Sequence, residues 1–149
     1  MGLVCSQNAW KGSYGSFMNW RKYIAEIAGL PPLELMEGFY YDLNGSMCPT
    51  LYYGIDTRKP NGFDNKPYLS DIDRRLPISW DCLKPNPLYE LLYHCDSSGT
   101  IEVDRCVPIA ESLEILLPLI EVDYYMDKTV NFIMGLRKCH ELNEPMQFR

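Results

Sequence analysis

Apolar residues recur at helical spacing early in the chain. Phe17, Trp20, Ile24 and Ile27 follow one another at three, four and three residues, which places all four on one helix face. Ser16 is the expected N-cap, Gly29 suits the left-handed position past the last turn, and Pro31-Pro32 forbids continuation. A second helix is expected to open at Asn86-Pro87, since asparagine caps well and proline fits a first helical turn; Leu88, Leu91 and Leu92 form its buried stripe. A third helix is expected over about 104–117, with Ile109, Leu113, Leu116 and Leu117 inward. Pro108 belongs in its first turn, because deeper it would remove a ladder hydrogen bond. The last helix, about 123–139, spreads Tyr125, Met126, Val130, Phe132, Ile133 and Leu136 over a wide arc, so a central position is expected.

Between the first two helices the pattern changes. In "GFYYDLNGSM" (38–47), aromatic residues flank Asn44-Gly45, a dipeptide that tolerates the positive φ of a tight hairpin turn. Residues 56–75 combine proline, glycine and polar turn formers with little apolar content, and read as a long surface loop. The pattern predicts a mainly α fold with a minor β part: four or five packed helices, a helix–loop–helix corner and one short β-hairpin. A length of 149 residues fits a single globular domain over 1–149, with the 56–75 loop inside it.

Charge and cysteine content narrow the setting. With 20 acidic and 14 basic residues the net charge is −6, which disfavours a phosphate-gripping basic face and hence nucleic acid. The six cysteines are accompanied by no export signal, so reduced, buried thiols and a cytoplasmic location are expected. The longest apolar stretch, "LEILLPLIEV", is broken by Glu114, Pro118 and Glu121, so no membrane contact is expected. "MGLVCS" fits a myristoylation pattern through Gly2 and Ser6, a match that two fixed positions produce easily by chance.

Candidate chemistry gathers in two places. In "LLYHCDSSGTIEVDRC" (91–106), putting Gly99 at the glycine of a calcium loop places His94 first, Asp96 third, Ser98 fifth, Ile101 eighth and Arg105 twelfth. The first position lacks an acid and the twelfth carries a cation, so the loop reads as a degenerate EF-hand-like corner kept for shape. His94-Cys95 and Cys139-His140 are adjacent pairs, and no C-x-x-C or H-E-x-x-H is present; no metal and no cofactor is expected. The other place is "WKGSYGSFMNWRK", where Ser13, Tyr14, Ser16, Trp20 and Arg21 surround a helix N-terminus suited to a small anion. The ligand-binding candidates are therefore Ser13, Tyr14, Ser16, Trp20, Arg21, His94 and Asp96.

The stretches "WKGSYGSFMNWRKYIAEIAG", "MEGFYYD", "LPISWDCLKPNPLYELLYHCDSSGTIEVDRCVPIAESLEILLP", "YMDKTVNFIMGLRKC" and "PMQFR" together resemble a family of small uncharacterised bacterial and phage proteins. The resemblance covers the chain apart from the 44–75 region and implies a prokaryotic or viral intracellular setting, where the myristoylation match is coincidental. In that family the loop carries an acidic pair; here Asp96 matches and Ser98 stands at the second acid. The resemblance implies no activity.

The leading expectation is a non-enzymatic binding or interaction protein, with a protein partner or a small anionic ligand and an open oligomeric state. Trp10, Tyr14, Tyr40, Tyr41, Tyr52 and Tyr53 would supply rigid contact surface. The alternatives are a small hydrolase or transferase using His94, Asp96 and a cysteine, and a structural or oligomer-forming protein.

Overall fold

The computed structural model describes residues 2–36, 78–95 and 97–149. The hairpin expected at 38–47 and the loop expected at 56–75 lie outside the described residues, as does Asp96. The described chain is mainly helical with a minor β part. Its strands are β1 (Gly2–Val4), β2 (Lys11–Ser13), β3 (Gly99–Ile101) and β4 (Met146–Phe148). Its helices are α1 (Tyr14–Ile27), α2 (Tyr89–Leu92), α3 (Val103–Leu116) and α4 (Asp123–Glu141), with 3-10 turns between them.

The cap of α1 is Ser13 and not Ser16. β2 ends at Ser13 in extended backbone, and its Oγ accepts the Ser16 amide at 3.0 Å, so the helix starts one turn earlier than expected. Its other end closes as the sequence suggests. Gly29 takes φ +70°, and Leu30 N–H and Gly29 N–H donate to the carbonyls of Ala25 and Glu26. α4 ends in the same way, with Asn143 at φ +55° and Glu144 N–H donating to Cys139 O at 2.9 Å.

The expected second helix shrinks to one turn. Asn86 Oδ1 accepts the Leu88 amide at 2.9 Å, but α2 proper begins at Tyr89, while Leu88, Leu91 and Leu92 are buried as expected. α3 begins at Val103, so Pro108 lies in its second turn. The hydrogen bond it forfeits would have gone to Asp104 O, at the exposed start of the helix.

Phe17, Trp20 and Ile24 are fully buried among Trp10, Phe132 and Phe148. Trp10 is therefore core and supplies no contact surface, contrary to expectation. Trp20 Nε1 donates to Thr129 Oγ1 at 2.9 Å, so the one buried polar side chain of α4 is satisfied by α1. Val130 was expected inward but is exposed, because the buried side of α4 runs through Thr129, Phe132, Ile133, Leu136 and Cys139. Gly135 belongs to that side for a steric reason. A Cβ there would come within 2.4 Å of Ala9 Cβ, so only glycine lets α4 seat against the N-terminal turn.

The C-terminal strand ties the ends together. β4 pairs antiparallel with β3 (Thr100 opposite Gln147), and its other edge meets the N-terminal strand, where Val4 and Arg149 exchange two 2.9 Å backbone hydrogen bonds. β1 pairs antiparallel with β2, and a Cβ on Gly2 would meet Gly12 O at 2.7 Å, a packing reason for that glycine.

Candidate functional site

Two of the predicted site residues meet, at the corner after α2. Arg21 is fully buried and points Nη1 at the carbonyl oxygens of Leu91 (3.4 Å), Leu92 (3.5 Å) and His94 (2.5 Å), with its guanidinium 4.5 Å above the Phe17 ring. These carbonyls are the last of α2 and its exit, which a one-turn helix cannot bond internally. A cation there also suits the negative end of the backbone dipoles.

His94 is held as tightly. Its ring stacks on Phe148 at 3.9 Å, with Nδ1 2.5 Å from Cys95 O and Nε2 3.0 Å from Thr100 O. Burial lowers its pKa below 6.5; the two carbonyls oppose that shift and the Arg21 charge adds to it. Gly99 makes the arrangement possible twice over. It holds φ +111°, and a Cβ there would press to 3.1 Å from His94 Cε1. Thr100 and Ile101, the seventh and eighth positions of the calcium register, are strand paired with β4. The corner is thus closed by the C-terminal strand and a buried arginine. Among the described residues no group of three His, Cys, Asp or Glu converges as a metal would need.

The remaining candidates separate from this pair. Ser13 and Ser16 are bonded to each other, Oγ to Oγ at 2.8 Å, in the cap of α1. Tyr14 is half-buried against the core, and Trp20 lies in its centre. Asp96 lies outside the described residues, and so do Tyr40, Tyr41, Tyr52 and Tyr53.

The thiols are not uniformly buried as expected. Cys82 is exposed and Cys95 half-buried, while Cys5, Cys106 and Cys139 are buried; Cys48 lies outside the described residues. Burial pushes Cys5 up to about 12 and Cys106 up to about 11, and raises Cys139 as well. Such groups stay thiols at neutral pH, the opposite of the activation a nucleophile needs.

Two open clefts are described. One, of about 440 Å³, is lined by Asn19, Lys22, Glu26, Glu34 and the stacked pair Tyr23–Tyr125. The other, of about 320 Å³, lies among Lys84, Asn86, Tyr89, Glu90 and Arg105. Neither includes a predicted site residue.

Sequence reasoning missed the outer surface of the α3–α4 pair. Ile115 is 76 % exposed, Met134 64 % and Leu119 54 %, with Val122 and Val130 also open. Arg137 Nη2 reaches Glu114 Oε1 at 2.6 Å, joining the outward edges of the two helices. Ile115 on α3 and Met134 on α4 are each exposed on the side of their helix away from its buried residues. A signal was present: Val130 and Met134 are four apart, on the side of α4 away from Phe132 and Leu136.

No protein-family model, no curated protein and no solved structure matches the chain.

Proposed function

We propose that this protein is a non-enzymatic interaction module that docks a protein partner on the outer face of the α3–α4 pair. The observation that carries the reading is the exposure of Ile115, Leu119 and Met134, large apolar side chains left in water on α3, the turn after it and α4. Large apolar side chains left this exposed are a feature of surfaces that contact other proteins. The engagement of Arg21 and His94 by backbone carbonyls supports the same reading, since it gives both residues a task in the fold.

A photo-crosslinking residue placed at Met134, and separately at exposed Glu26 on α1, tests this in cells producing the protein. A discrete adduct from position 134 alone is the expected result. Equal labelling from both positions, or none from position 134, would remove the docking face.

A further inference from the structure

Unmatched charge on α4 narrows the partner. Asp123, Asp127, Val130 and Met134 follow at four, three and four residues and are all exposed, so they share one outward stripe of about 16 Å. Neither aspartate belongs to an ion pair among the described residues. The charges further along are already matched. Arg137 holds Glu114 of α3 through both Nε and Nη2, and Lys138 Nζ lies 3.3 Å from Glu141 Oε2. Lys128, the cation next to Asp127 in the chain, donates to Lys11 O at 2.9 Å, with Nζ 4.7 Å from the Trp10 ring. What α4 leaves open to a partner is therefore apolar and acidic.

We propose that the docking face receives a basic, amphipathic protein segment, whose lysines or arginines meet Asp123 and Asp127 while its apolar side chains cover Val130 and Met134. This rests on the reading of the face given above. Glu121 and Val122, both exposed just ahead of α4, continue the same acidic and apolar combination at its N-terminal end. An acidic segment would meet like charge at both aspartates. A neutral apolar one would desolvate two carboxylates and supply no counter-ion, a loss that a basic segment avoids. Met134 suits such a contact, since an unbranched thioether adapts to irregular apolar surfaces. The stripe also sets a spacing. Asp127 and Met134 are seven residues apart, so the segment presents a cation and an apolar anchor about 10 Å from each other.

Fluorescence anisotropy on the full chain tests this with two labelled synthetic helices, one of leucine and lysine, the other of leucine and glutamate at the same spacing. The lysine helix is expected to bind at least about tenfold more tightly than the glutamate helix. Asp127→Lys should weaken it about tenfold or more, and Met134→Ser should weaken it as well. Asp123 lies in the first turn of α4, where a carboxylate also steadies the helix, so the milder Asp123→Asn is used there. Melting curves of all three variants establish that they are folded.

Equal binding of the two helices, both weakened by Met134→Ser, overturns the basic partner and keeps the face for an apolar segment without charge preference. A lysine helix that ignores Asp127→Lys or Met134→Ser is held elsewhere on this acidic chain, which overturns the proposal. Binding of neither helix overturns it too. In these last two cases the crosslink from position 134 decides the face independently.

Discussion

Gly99 and His94 shape the corner after α2 together. The glycine accepts a backbone angle that other residues avoid, and its missing Cβ leaves room for the imidazole ring. Gly99→Ala should therefore destabilise the protein by roughly 1–3 kcal/mol, measured as a lower urea midpoint; an unchanged midpoint would show that the corner is not held this tightly. His94 adds a pH dependence of known sign. Its folded pKa lies below the 6.5 of the unfolded chain, so below that value the unfolded state binds the proton more readily. The stability that the neutral ring confers is complete above pH 6.5 and is lost as pH falls through the folded value. Between about pH 7 and pH 5 the wild type should lose more stability than His94→Gln; parallel losses would contradict the assignment. The histidine and glycine were visible in the sequence as special positions. The partner of His94 was not, because Phe148 stands 54 positions further along and nothing local announces it.

Elements set by local rules were legible. The 3-4-3 spacing of Phe17, Trp20, Ile24 and Ile27, and the stop at Gly29, describe α1 to within a turn, because spacing and left-handed caps act over a few residues. The start of α1 was misplaced because Ser13 and Ser16 are both good caps and the choice depends on where β2 ends. α2 was overestimated for a related reason: a cap and a leucine stripe do not fix length when tertiary contacts turn the chain away. β4 was invisible, since "MQF" becomes a strand only by pairing with β3 and meeting the N-terminal strand. Gly135 did leave a trace, as glycine inside a helix costs about 1 kcal/mol relative to alanine and calls for a compensating contact. Gly135→Ala should raise intrinsic helix propensity yet lower stability by roughly 1–3 kcal/mol, because the new methyl collides with Ala9. A gain in melting temperature would mean that α4 does not sit against the N-terminal turn.

Across the whole molecule, chemistry-bearing side chains and exposed apolar ones divide between inside and outside. Arg21, His94 and three cysteines serve the interior or its closure, while Ile115, Leu119 and Met134 face water. Sequence reading weighted the first group, since charged and titratable residues advertise chemistry whatever their burial. Arg21 was misleading in this way: its partners are backbone carbonyls some 70 residues further along, and no motif records them. The outer face was harder to see, because Val130 reads as part of a wide buried arc until the opposite side of α4 is known to hold the core. No helix among the described residues is long and apolar enough to cross a membrane.

Native mass spectrometry of the purified chain, set against a denatured control, tests the account most directly. The account predicts a native species at the 17.3 kDa chain mass or a whole multiple of it, with no added component. A single chain carrying extra mass that disappears on denaturation would contradict it, and would move the function from the helical face to a bound metal or small ligand.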